Sequence, residues 1–370
     1  MQFFGNRADD AETAASLLAP SCEFNHRIGR WVFPLLYLPD VAKVLRKHVV
    51  EIRVSSKVAA AYRRQKKLCD AILGLKAKST AAFAESPYKS LFRKECMPHP
   101  YQRQGIATML SAKRLLLGDA VGLGKTIQSV GAISLAMERG ICRRAMVVTS
   151  ASLKGQWRDE AQKYLLPDAV SGLASDFTVV SGEKSKRIEI YRDPAARVIV
   201  LNYELFLHDL KHMPPVDMIV LDEAARIKNL DAQTTKNIKA FCAKHKIQYR
   251  YALTATAIEN RLEDLFSILS FLGDRSLGFY TYFLYHYCRL RQFQAPNGAW
   301  IRQVVGHLNL AEAKRRTGHI LLRRTKDDVG IELPELVIRN VAIDLTARQR
   351  EEYEAIKVAA ADPDNPLNPL

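Results

Sequence analysis

Two short stretches carry residue types at a spacing that suits phosphate chemistry. Residues 118–126 read GDAVGLGKT, after a Leu-rich run and ahead of the helical pattern TIQSVGAISLAM. Asp119, Ala120, Val121, Gly122, Leu123 and Gly124 make a loop whose glycines can take positive φ and bring backbone N–H groups up to phosphate oxygens. Lys125 offers a point charge to the β- and γ-phosphates of a nucleotide, and Thr126 offers a hydroxyl to Mg²⁺. The helix that follows adds its partial positive N-terminus. The strict phosphate-loop pattern wants glycine at the position of Asp119; here the glycine stands one residue earlier, at Gly118. The second stretch, DMIVLDEAARIKN (217–229), is an apolar run ending in two carboxylates. Asp222 is placed to hold Mg²⁺ through water, and Glu223 to orient or deprotonate an attacking water. Two acids after a strand also make an ordinary cluster at a helix N-terminus. Their position, 97 residues beyond Lys125, fits a nucleotide site with Lys125 and Glu223 as its catalytic groups.

Such a site needs a scaffold that presents several loops on one edge. From about residue 100, short buried-type runs alternate with helical patterns: LLLGDA, RAMVVTS, RVIVLN, DMIVLDEA and YRYALTAT, each followed by a helix. That rhythm predicts a parallel sheet with helices on both faces, whose ligands bind at the carboxyl ends of the strands. Both stretches fall there.

Lys and Arg number 55 against 39 Asp and Glu, a net charge of +16, which points to a polyanionic partner such as nucleic acid. Residues 1–100 hold half of that excess, with 17 basic and 9 acidic side chains. Within them KVAAAYRRQKKLCDAILGLKAK (57–78) reads as a basic helix with seven cations and one acid, either a solvated face or a contact for a nucleic-acid backbone. The six cysteines lie far apart without C-x-x-C spacing, so reduced thiols are expected and no metal cluster. No apolar run spans a bilayer and no secretory signal is readable, so an intracellular protein is expected: in the cytoplasm (nucleoid) if bacterial, nuclear if eukaryotic.

The ordered motifs resemble the first motor lobe of the SNF2 branch of superfamily 2 DNA translocases, over residues 98–360. PHPYQRQGI (98–106) is similar to the opening motif, whose glutamine reads adenine; that role falls on Gln102. VVTSASLKGQW (147–157) and LNYELF (201–206) resemble segments that touch DNA, which implies contacts from Ser150, Ser152, Lys154, Trp157, Asn202 and Tyr203. ALTATAIENRLEDLFSILSFL (252–272) resembles the motif that couples ATP to DNA, which places coupling at Thr254 and Thr256, with Ala225 beside the acids. LLRRTKDDVGIELPEL (321–336) and LTARQREEYEAI (345–356) match the end of the lobe. Three residues depart from the family: Ala225 stands for His or Gln, and Ala255 and Ala257 for the Gly and Pro of T-G-T-P. FNHRIGRWVFPLLYLPDVAKVL (24–45) is similar to the HARP-type module of annealing helicases, and equally reads as Trp31, Phe33 and Leu35 alternating into a strand core.

The resemblance implies an α/β fold: a RecA-like parallel sheet (a P-loop NTPase, helicase lobe 1) behind a small α/β or helical N-terminal module. The expected divisions are an irregular 1–22, a basic module 23–96, the ATP-binding lobe 97–272, a helical SNF2-type extension with the end of the lobe 273–360, and a linker-like tail 361–370. A second RecA-like lobe, with its Q-x-x-x-R-x-x-R arginines, is missing from these residues. The implied partner is double-stranded or branched DNA. Two functions follow: the ATP-binding lobe of a DNA-dependent ATPase that translocates on or remodels duplex DNA, or a truncated or degenerate lobe that binds nucleotide, DNA or a partner without appreciable turnover.

Overall fold

Short runs of Leu, Val, Ile and Met, too apolar for either face to meet water, make the strands. The computed structural model describes residues 2–3, 23–25, 30–48, 52–167, 172, 176–255, 261–294, 300–330 and 344–360. Four strands of two or three residues precede Arg114 and pair as Gln2–Phe3 with Ile52–Arg53 and Glu23–Asn25 with Arg30–Val32; from there on the strands are β1 (Arg114–Leu117), β2 (Ala145–Thr149), β3 (Phe177–Val179), β4 (Val198–Asn202), β5 (Met218–Leu221) and β6 (Tyr249–Leu253). A hairpin of β7 (Cys288–Gln294) and β8 (Trp300–His307) follows, then β9 (Leu321–Leu322). Among the described residues, seven strands form one parallel sheet in the order β9-β1-β6-β5-β2-β4-β3. Alternate residues bury opposite faces: Leu116, Val148, Leu201 and Leu221 enter one core, and Leu117, Val147, Val200 and Val220 the other.

Eleven helices accompany these strands: α1 (Leu38–His48), α2 (Ser56–Ala77), α3 (Pro100–Ala112), α4 (Lys125–Glu138), α5 (Lys154–Tyr164) and α6 (Lys184–Arg192); then α7 (Tyr203–Asp209), α8 (Gln233–Lys244), α9 (Leu262–Leu272), α10 (Tyr280–Tyr287) and α11 (Leu310–Thr317). The five strand–helix alternations expected from the sequence are present, and the fold class is as expected. Two strands were not anticipated. β3 and β9 have three and two residues, too short to show a pattern. The stretch expected to be a helical extension also differs, because β7 and β8 pair antiparallel within it. Their sequences, CRLRQFQ and WIRQVVGH, are rich in aromatic and β-branched residues (Phe293, Trp300, Ile301, Val304 and Val305), which favour a ribbon over a helix.

The N-terminal residues do not stand apart. Residues 1–329 form one compact unit and 330–370 a second. Tyr37 and Val41 belong to the lobe's own core. The Tyr37 ring lies 4.1 Å under the Arg316 guanidinium, and Arg316 pairs with Asp40 at 2.7 Å. Of the seven cations in residues 57–78, Lys76 alone turns inward, donating to the carbonyls of Gly318 and Leu321; burial and the nearby Arg324 hold it down at about 8. The other six are exposed. Cys69, Cys142, Cys242 and Cys288 are buried free thiols, Cys96 is a half-buried one, and Cys22 lies outside the described residues. In the second unit, α12 (Ala347–Ala360) opens with a capping box: Thr346 N donates to Gln349 Oε1 and Gln349 N to Thr346 Oγ1. Among the described residues no helix is long and apolar enough to cross a membrane.

Below the sheet, at the amino ends of its strands, His319 and Asp274 form a buried pair at 3.1 Å. Burial opposes charge on the imidazole, but Asp274, with Cys69 adding, outweighs it and holds His319 up at about 10. The folded value lies above the ordinary 6.5, so the stability contributed by His319 is full below 6.5 and is lost as pH rises to about 10. Denaturant unfolding should therefore show wild type and His319→Gln furthest apart near pH 6 and converging toward pH 10. A difference that stays constant over that range would mean His319 is neutral in the folded chain.

Candidate functional site

Three neighbouring strands bring the phosphate loop and the acids to one edge. β1 runs into Gly118, β5 into Asp222, and β6 lies between them, ending at Thr254. Thr254 is buried and its N–H donates to the Leu117 carbonyl at 3.2 Å, so the position expected to take part in coupling sits against the start of the loop. Ala255 follows it on the edge, while Thr256 and Ala257 lie outside the described residues.

The loop has the geometry that its glycines allow. Gly122 has φ +87° and Gly124 φ +70°, both left-handed. Space matters as well at Gly124, where an added Cβ would meet Gln102 Nε2 at 2.5 Å. Val121 is exposed and Leu123 fully buried, which pins the loop on one side and leaves its tip open. Lys125 folds back over the loop, its ammonium donating to the carbonyls of Asp119 (2.8 Å) and Ala120 (3.3 Å). Burial lowers its pKa, against the carboxylates of Asp119, Glu223 and Asp222, which raise it. Lys125 thus lies in the field of both acids. Thr126 occupies the first turn of α4, half-buried.

Asp222 is held from every side. Its Oδ2 accepts from Thr149 Oγ1 (3.0 Å) and from the indole N–H of Trp157 (2.8 Å), and its Oδ1 accepts from Glu223 N (3.0 Å). The Tyr203 hydroxyl donates to the Asp222 carbonyl at 2.7 Å. Glu223 has φ +49°, a left-handed backbone unfavourable for a residue with a Cβ, and projects into solvent. The donor types fit Mg²⁺: one carboxylate and one hydroxyl, the remaining positions around this ion being usually taken by waters and phosphate oxygens. Among the described residues no three His, Cys, Asp or Glu gather to hold a metal by themselves.

This arrangement corrects several expectations. Trp157 and Tyr203 are buried and serve Asp222, so neither can touch DNA. Asn202 is buried, its amide donating to Glu204 at 2.6 Å, and Lys154 donates to the Val180 carbonyl at 2.9 Å. Of the six residues expected on DNA, only Ser150 and Ser152 face outward with their hydroxyls uncommitted to the body of the lobe; they lie 3.3 Å apart. Asp119 also turns away from the phosphate position. It is fully buried against Arg324, whose Nε donates to Asp119 Oδ1 at 3.0 Å and whose Nη2 reaches Oδ2. Gln102 is buried too: its Oε1 accepts from His99 N (2.8 Å), and its Nε2 donates to the Tyr101 hydroxyl and the Leu123 carbonyl (both 3.3 Å). The amide caps α3 and clamps the loop, so reading adenine requires it to release those bonds. Ala225 is half-buried and presents only a methyl.

Three contributors were missed. Thr149 lay within the quoted VVTS run, but nothing in the spacing ties it to Asp222. Arg324 comes from LLRRT and also donates to Gln128 Oε1 (2.8 Å), Gln104 Oε1 (3.3 Å) and the Tyr101 carbonyl. Gln128 completes the cluster by donating to Asp119 Oδ2 at 3.0 Å.

Residues 101–365 match the family described as SNF2-related domain. The chain is 26% identical over 275 residues to the DNA repair and recombination protein RAD54B of Gallus gallus, covering 70% of this chain and 29% of that protein. It is 30% identical over 278 residues to DNA repair and recombination protein RAD54 of Oryza sativa subsp. japonica (69% and 27%), and 28% identical to chromodomain-helicase-DNA-binding protein 6 of Rattus norvegicus (69% and 9%). The chain thus spans less than a third of the length of these relatives. Among solved structures it is similar to the Sulfolobus solfataricus SWI2/SNF2 ATPase core in complex with dsDNA, with 28% identity, a TM-score of 0.49, and coverage of 70% of this chain and 52% of that one. The family match begins at Tyr101 and does not reach the segment 24–45 that resembles the annealing-helicase module. With more than two thirds of its residues inside the match, and the phosphate loop and acids together on one sheet edge, the chain belongs to the SNF2-related family.

Proposed function

We propose that this chain supplies the ATP-binding lobe of a DNA-dependent ATPase that moves on or remodels duplex DNA. The observation that carries the reading is Lys125, held on the loop carbonyls and within the field of Asp222 and Glu223. In this reading the N–H groups of residues 122–126 and the Lys125 ammonium bind the β- and γ-phosphates. Thr126 and Asp222 hold Mg²⁺, which supplies charge neutralisation to the phosphates when bound. Glu223, exposed beside them, orients a water and takes its proton. A second RecA-like lobe forms the other wall and brings the arginine that transferring phosphate requires. The relatives' DNA-repair names and the +16 charge support DNA as partner, gripped through its backbone and so with an affinity that falls with salt.

The second reading, a lobe that binds without turning over, draws on Ala225, whose methyl offers no hydrogen bond where the family has His or Gln.

Calorimetry of ATP–Mg²⁺ binding tests the site. Lys125→Ala removes the cation that the loop itself carries, and binding should become undetectable. Equal affinity in wild type and Lys125→Ala would place the nucleotide elsewhere.

A further inference from the structure

The hairpin β7–β8 has no part in the nucleotide site, yet it is rooted on the same edge of the sheet. His307, its last residue, pairs with Glu263 at 2.6 Å in the first turn of α9, the helix that makes up the second half of the 252–272 motif. Leu290 and Val304 pack against the core beneath. Beyond that base the ribbon stands in solvent. Its twenty positions from Cys288 to His307 contain three arginines and no acid.

Antiparallel pairing sorts the side chains by face. Gln292 opposes Arg302 and Gln294 opposes Trp300 on one face, while Arg291 opposes Gln303 on the other, where Phe293 also lies. Each face therefore joins an aromatic ring to an arginine. Trp300 is 70% exposed, and with Gln292 and Arg302 it lines a concavity of about 600 Å³. Arg302 also donates to the hydroxyl of the exposed Tyr285 at 3.4 Å. An indole this open loses contact with water only when something planar or apolar covers it. The surrounding cations favour an anionic partner, and the absence of any carboxylate from the ribbon removes the repulsion such a partner would meet.

We propose that this hairpin is a DNA-contacting element for unpaired nucleotides at the edge of a duplex, with one base stacked on Trp300 and its phosphate held by Arg302 on the same face. Unpaired bases are the partner that uses both features, because a paired duplex hides its base faces and offers only phosphates. A guanidinium and an aromatic ring together recognise single strands without regard to sequence. The inference rests on the DNA reading proposed above and gives it a second contact, separate from the nucleotide edge.

The test compares fluorescence anisotropy of two labelled probes with residues 1–370: a blunt duplex, and the same duplex carrying two unpaired arms. Trp300→Ala should weaken binding to the forked probe by about 5- to 150-fold, the range for losing one stacked base, and change the blunt duplex less than about twofold. Trp300→Phe should keep most of the affinity for the fork. The Arg302→Ala variant should weaken the fork and flatten its salt dependence. Unchanged fork binding in Trp300→Ala, or an equal loss on both probes, overturns the stacking proposal; the first outcome would leave the ribbon to a protein partner, the second to the duplex backbone. Wild type that binds neither probe overturns the DNA reading itself, a failure distinct from that of the hairpin.

Discussion

Arg324→Met should destabilise the chain by about 3–5 kcal/mol, the range for removing one partner of a buried ion pair. Asp119 is fully buried, and both its oxygens are satisfied by Arg324 and Gln128. Without the guanidinium a carboxylate is stranded in the core, and the Tyr101 carbonyl, Gln104 and Gln128 each lose a donor. The double variant Asp119→Asn/Arg324→Met should recover much of the loss, because it removes the stranded charge together with its partner. Urea unfolding of the two single variants and the double measures the coupling. A loss under about 1 kcal/mol in Arg324→Met would mean that water reaches Asp119 and that the cluster is not a structural anchor.

The largest kinetic effect concerns turnover. Residues 1–370 contain no Q-x-x-x-R-x-x-R pattern to place an arginine against the γ-phosphate. Such an arginine contributes about 10³–10⁵ in rate, or roughly 4–7 kcal/mol of transition-state stabilisation. The polypeptide of these residues should hydrolyse ATP slower by about that factor than the same residues joined to a family second lobe, and duplex DNA should stimulate it little. In the joined protein, Ala225→Gln should raise DNA stimulation more than the basal rate, because a side-chain amide restores a hydrogen-bonding group beside the acids. ATP turnover with and without duplex DNA decides it. Brisk DNA-stimulated hydrolysis by residues 1–370, abolished in Glu223→Gln, would show that the acids need no arginine from a second lobe.

The sheet was legible because each long strand is a run of apolar residues with a helix after it. Its edges were not, since β3 and β9 are held by neighbouring strands and carry too few residues for a pattern. At the site, local spacing revealed Lys125, Thr126, Asp222 and Glu223, whose chemistry depends on the residue itself. The roles of Trp157 and Tyr203 could not be read in this way. Both were expected at DNA because the resemblance located their segments, but which way a side chain turns depends on what the next strand offers. Here β5 offers Asp222, which is short of donors until an indole and a hydroxyl arrive from α5 and α7. Asp119 stands in the place of a glycine for a comparable reason: a carboxylate is acceptable there only because Arg324 comes from the far end of the lobe.

That last contact spans 205 positions of sequence. The phosphate loop is therefore among the first parts of the lobe to leave the ribosome and among the last to be completed, since β9 and Arg324 must emerge before Asp119 is neutralised and β1 gains its outer neighbour. Until then a nascent chain holding every phosphate-binding residue still has an unanswered carboxylate at the root of the loop and an open sheet edge. Completion of the loop thus comes late in synthesis, as a step set by residues outside it.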